Sequence, residues 1–203
     1  MIVTLTLEKI NIPRVGYCCV FSKETLEKLC TNETMCRCKI LYKLYINNRE
    51  LQLECPVIKN PQQENIVIWP AIKLPHRKYP VHIYLYAVAI YLSSNLSMRK
   101  VAAKVRNVFG LDKFSHSTLS RSLKKLVAIV DELEMIVATD MPEYKDISCG
   151  DTLVPKRCWD TTRQDKYQKL LHLLFPVLDK LEAMKYGALL NYRYFNKTMK
   201  FLI

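Results

Sequence analysis

Read as a pattern of apolar and polar positions, the chain changes period near residue 75. Before that point the spacing is near two. Residues 38–46 alternate in part, Asn47 and Asn48 supply a turn that tolerates positive φ, and Leu51, Leu53 and Cys55 alternate with Glu50, Gln52 and Glu54, which predicts a hairpin. Asn60 and Pro61 then break the pattern, and Ile66, Val67, Ile68 and Trp69 predict a third strand ending at Pro70. A small three-stranded meander follows from this spacing.

After residue 75 the period is helical. Pro75 and Pro80 bracket the phrase His76, Arg77, Lys78, Tyr79, which reads as a hinge because proline fixes φ and pushes its predecessor out of the helical region. Pro80 suits the first turn of a helix running to about Asn95, apolar on nearly every face and therefore buried. A second helix is predicted from Ser97 to Phe109, with Met98, Val101, Ala102, Val105, Val108 and Phe109 on one stripe and Gly110 as its left-handed terminator. A third begins at Ser115 or Ser117 and buries Leu119, Leu123, Leu126, Val127 and Val130. Residues 131–165, containing Pro142, Gly150 and Pro155, read as a helix end followed by an irregular acidic connector, and residues 163–203 as helix interrupted at Pro176.

The expected architecture is α+β in three parts. Residues 1–75 form the β-rich unit, 76–138 a helix-turn-helix module, and 139–203 the acidic connector with C-terminal helices. With 203 residues and half of them apolar, the chain has enough material for a buried core.

Charge sharpens the middle part. Residues 71–130 hold eleven Lys or Arg against one acid, Asp112, and so account for ten of the twelve net positive charges. A focused positive field attracts polyanions, and neutralised phosphates release condensed counterions, so a basic module of this kind points to nucleic acid. The third helix turns Ser117, Thr118, Ser120, Arg121, Lys124 and Lys125 outward, and Arg can bond bidentately to a guanine edge while hydroxyls bond bases or phosphates. Arg99, Lys100, Lys104 and Arg106 on the second helix, with Arg77 and Lys78 before the first, complete the expected DNA-contacting set.

Eight cysteines without a secretory signal at the N-terminus imply reduced thiols and a cytoplasmic protein. The longest apolar run, 83–92, is half the length of a membrane span, so no membrane association is expected. Zinc ribbons use paired Cys-x-x-Cys knuckles, and this chain has none. Cys30, Cys36, Cys38 and Cys55 are the possible zinc thiolates, but Ile58 stands where a fourth ligand would follow Cys55, so a degenerate ribbon without a cofactor is expected. The acids Asp140, Glu143, Asp146, Asp151, Asp160 and Asp165 could serve a two-metal catalyst, but they fall in a connector and no catalytic domain surrounds them. The reading is not an enzyme.

The stretch from ECPVIKN through IVIWPAIKLPHRKYP to VAAKVRNVFGLDKFSHSTLSRSLKKL, about residues 38 to 130, resembles the N-terminal region of bacterial mobile-element proteins, including a short orphan family of unknown function. The resemblance implies a zinc-ribbon-like β-unit joined to a transposase-type helix-turn-helix, here with the ribbon's cysteine pattern incomplete. It implies double-stranded DNA as the partner. Two other expectations stand beside it: a protein-interaction module built on the apolar C-terminal helices, and the DNA-binding subunit of a two-chain transposase. Leu170, Leu171, Leu174, Leu178 and Leu181 form an apolar stripe that needs a cover, either a second copy in a homodimer or the β-unit of the same chain.

Overall fold

The computed structural model describes residues 17–22, 24, 27, 38–46, 49–59, 62–145, 150, 152–155, 157 and 160–203, with backbone alone at 39, 42, 46 and 51. The class is α+β. Strands β1 (Tyr17–Val20), β2 (Cys38–Ile46), β3 (Arg49–Lys59) and β4 (Asn65–Pro70) form one sheet in the order β1-β4-β3-β2. The meander is present as β2, β3 and β4, antiparallel throughout, with Tyr45 opposite Glu50 and Val57 opposite Val67. The sheet is larger than the meander, because β1 adds in parallel beside β4, Tyr17 against Val67. Pro56 lacks an N–H, yet sits inside β3 opposite Lys39 because β4 joins that strand only from Val57 onward. The expected turn at Asn47 and Asn48 lies outside the described residues.

The sheet has two apolar faces. Cys18, Val20, Ile58, Ile66 and Ile68 pack together on one side. On the other, Cys19 and Ala71 join a continuous core that runs through every long helix to Leu202 and Ile203.

The hub of that core is α1 (Val81–Ser93), buried without interruption from Val81 to Ala89 and again at Leu92. It has no polar face because α2 (Met98–Phe109), α3 (His116–Ala128), α6 (Thr161–Leu174) and α7 (Ala183–Thr198) all pack against it. Its C-terminal carbonyls are satisfied by a distant residue. Arg157 donates to the carbonyls of Tyr91 at 2.7 Å, Leu96 at 3.2 Å and Ser94, with its guanidinium stacked 4.1 Å from the Tyr91 ring.

Caps fix the next two helices. Ser97 accepts from the Lys100 N–H at the start of α2, Gly110 ends it at φ +58, and Ser115 accepts from the Thr118 N–H to start α3. Val130 does not continue α3 as the stripe suggested. The chain breaks at Ile129, and Val130 opens α4 (Val130–Asp140), followed by the short α5 (Pro142–Lys145). The helix end expected after residue 130 is therefore a full helix of its own, because Leu133, Ile136 and Val137 bury a face under their acidic neighbours.

Three of the five leucines of the stripe are covered from within. Leu170, Leu171 and Leu174 of α6 are buried in the main core, where α6 packs chiefly against α1, α3 and α4 among the described residues. The 3₁₀ turn Phe175–Leu178 carries Pro176, and Leu181 beyond it is 90% exposed. Leu170, Leu171 and Leu174 therefore need no second copy to cover them, while Leu178 is half-buried. Asn191 on α7, fully buried, donates to the Ala71 carbonyl at 2.8 Å and accepts from the Leu202 N–H at 3.1 Å, tying sheet, helix and tail together. No helix among the described residues is long and apolar enough to cross a membrane.

Candidate nucleic-acid interface

The site is built on α3. Leu119, Ser122, Leu123 and Leu126 face the core, and Ser117, Ser120, Arg121, Lys124 and Lys125 are exposed, with Thr118 half-buried. Neither α2 nor α3 contains an acid. On α2, Val101, Ala102 and Val105 are buried while Arg99, Lys100 and Lys104 are exposed.

Residues 76–79, expected as a hinge, belong to a strapped loop. Lys73 pairs with Pro80 in a β-bridge, the Val81 N–H donates to the Ile72 carbonyl at 2.9 Å, and the buried Lys73 ammonium donates to the Arg77 carbonyl. Burial holds that ammonium below the usual lysine range. Lys78 forms an ion pair with Asp112 at 2.9 Å and lies 4.0 Å from the Tyr45 ring, while the Tyr79 hydroxyl donates to Asp112 at 3.0 Å and to the Lys113 carbonyl. The loop is thus fastened to both the sheet and the turn between α2 and α3. Its tip is His76, at φ +57, and the next residue is Arg77, whose guanidinium stands 5.8 Å from the Tyr84 ring. His76, Arg77, Lys113, Ser115 and Thr118 line a cavity of about 260 Å³ beside the first turn of α3.

The expected DNA-contacting residues therefore divide. Lys78 is engaged with Asp112, and Arg106 donates to the Phe114 carbonyl at 3.0 Å, which braces the turn between the two helices. Arg77, Arg99, Lys100, Lys104, Arg121, Lys124 and Lys125 have no ion pair among the described residues. Ser117, Ser120 and Lys124 point outward, Arg121 lies over its own helix with Nε 3.3 Å from the Ser117 carbonyl, and Thr118 meets the Ser115 hydroxyl at 3.0 Å.

One cation was not foreseen. Lys125 donates to the Phe201 carbonyl at 3.1 Å, which brings exposed Lys200 to the last turn of α3. Seventy-five positions separate the two lysines, and nothing in the local spacing links them.

Of the possible zinc thiolates, Cys30 and Cys36 lie outside the described residues. Cys38 is exposed on β2, while Cys55 is buried on β3 with its thiol pushed up to about 11 by burial, the behaviour of a small apolar group. Among the acids, Asp146 and Asp151 lie outside the described residues, Asp160 caps α6, and Asp165 lies on it. No group of three or more His, Cys, Asp or Glu among the described residues is placed to hold a metal ion. A cavity of about 640 Å³ lies between α4, α5 and α6, and Glu134, Asp165, Lys169 and His172 mix both charges around it. Compared with known proteins, the chain matches no family model, no curated protein and no solved structure.

Proposed function

We propose that this protein binds double-stranded DNA through α2 and α3 and catalyses no reaction. The observation that carries the reading is an α3 capped and packed by one face while its other face presents Ser117, Ser120, Arg121 and Lys124, with no acid on either helix and uncommitted Arg99, Lys100 and Lys104 on α2. In this reading the N-terminal half of α3 enters the major groove and α2 crosses the backbone. Arg121 swings from its own helix to a base edge. Lys104 meets phosphate. The module is related to the DNA-binding region of mobile-element transposases, and any strand chemistry would belong to a separate chain.

Base contacts carry discrimination of about 1–3 kcal/mol, and phosphate contacts carry general affinity. Arg121→Ala is expected to compress the difference between preferred and unrelated duplexes, and Lys104→Ala to weaken all of them alike. Competition binding against a selected duplex and a mixed pool measures both. If the two substitutions reduce affinity by one common factor on every duplex, Arg121 does not read a base. Against the interaction-module reading stands the burial of Leu170, Leu171 and Leu174 inside the core.

A further inference from the structure

One flank of α3 gathers cations from segments far apart in sequence, Arg77 beside its first turn and Lys200 at its last, where Lys125 stands. Thr118, Arg121 and Lys125, at i, i+3 and i+7, run along one flank of the helix. The strapped loop sets Arg77 beside this flank, sharing the cavity wall with Ser115 and Thr118. The C-terminal tail sets Lys200 at its far end, through the bond from Lys125 to the Phe201 carbonyl.

The tail is held firmly enough to place a charge. Helix α7 ends at Met199 in the left-handed region, φ +58, so the chain turns back at Lys200. Phe201 then packs 4.8 Å from Phe195, 5.9 Å from Tyr17 and 6.4 Å from Trp69, ring to ring, and Leu202 is tied to buried Asn191. Lys200 therefore stands between a helix end and an anchored terminus. Arg77, Lys125 and Lys200 form no ion pair among the described residues. The crowding disfavours charge on Lys125: packing around its ammonium lowers its proton affinity first, and Arg77 and Lys200 lower it further. A folded chain that assembles three like charges without an acid is set up for an anion to complete them.

We propose that Arg77, Lys125 and Lys200 together clamp a phosphate of the DNA backbone, so that the C-terminal tail is part of the interface. The inference rests on the duplex-binding reading. With the N-terminal half of α3 in the major groove, the C-terminal end of that helix meets the strand flanking the groove, and a backbone phosphate is the anion available there. Base edges are out of reach of this end, so the clamp adds affinity without sequence preference.

The test uses the full-length protein and a short fluorescent mixed-sequence duplex, titrated over a range of KCl concentrations by anisotropy. Lys200→Gln is compared with wild type and with Lys180→Gln, which removes the same charge from an exposed position in the turn before α7. Lys200→Gln is expected to weaken binding about three- to tenfold on every duplex and to make the slope of log K against log salt shallower by about 0.9, the loss of one phosphate contact. Lys180→Gln is expected to behave as wild type. Equal slopes for Lys200→Gln and wild type, or equal effects of the two substitutions, overturn the clamp and leave duplex binding standing. A wild-type protein that does not bind the duplex overturns both.

Discussion

His82 makes acid sensitivity a property of the core. It lies in the first turn of α1, 7% exposed, with Nδ1 lacking a partner among the described residues and its ring edge-on to Phe109 at 5.8 Å. Burial lowers its pKa from 6.5 to about 4, and the positive end of the helix acts in the same direction. The group is a base whose folded pKa is depressed, so between pH 6.5 and about 4 the unfolded chain takes up the proton and the folded chain does not. Stability is fully present above 6.5 and declines as the pH falls toward 4. At about 1.4 kcal/mol per pH unit, that interval amounts to ~3 kcal/mol, a large part of a typical domain's stability. His82→Leu removes the proton site, and its stability is expected to stay flat over this range apart from effects common to both proteins. The carboxylates of Asp112 and Asp131, held below their ordinary range chiefly by hydrogen bonds from Lys78 and Lys169, are common to both and act at lower pH. Urea unfolding at several pH values gives the difference between the two profiles. A wild-type profile parallel to that of His82→Leu between about pH 6.5 and 4 would refute the reasoning.

The contacts between α1 and its neighbours yield two further expectations. A Cβ at Gly187 on α7 would stand 3.0 Å from Cβ and 3.1 Å from Cα of His82, so Gly187→Ala is expected to lose about 1 kcal/mol net despite its better helix propensity, read as a lower Tm. Arg157→Ala strips the donors from the carbonyls of Tyr91, Ser94 and Leu96 and is expected to cost ~2–4 kcal/mol in urea unfolding, with Arg157→Lys recovering only a minor share because one ammonium cannot span three carbonyls.

Local signals made α1, α2 and α3 readable. The all-round apolar run of α1, the single stripes of α2 and α3, and the turn chemistry of Ser97, Gly110 and Ser115 are each set within a few residues, and the helices begin and end where those residues stand. What the sequence hid depends on tertiary partners. The pattern of 17–20 gives no sign that it will lie parallel to β4, since a parallel pair needs a crossover and not a turn. Acidic residues masked α4, whose buried Leu133, Ile136 and Val137 have the spacing of a helix face. The leucines of α6 announce burial but not against what, and α1 turned out to be apolar enough to serve helices on every side. At the candidate site the same division holds. The exposed row on α3 was legible from its period. The engagement of Lys78 with Asp112 and the arrival of Lys200 beside Lys125 were not, because each is a meeting of residues that only the folded chain brings together.

The most direct measurement is the wild-type titration that serves as reference for Lys200→Gln: affinity for a mixed-sequence duplex as a function of salt. With α2, α3 and the flanking clamp each neutralising phosphates, log K is expected to fall linearly against log salt with a slope of about −4 or steeper, roughly −0.9 for each phosphate engaged. An affinity that hardly responds to salt, or no binding to duplex at the lowest salt, would contradict the assignment of α3 as a DNA-binding helix.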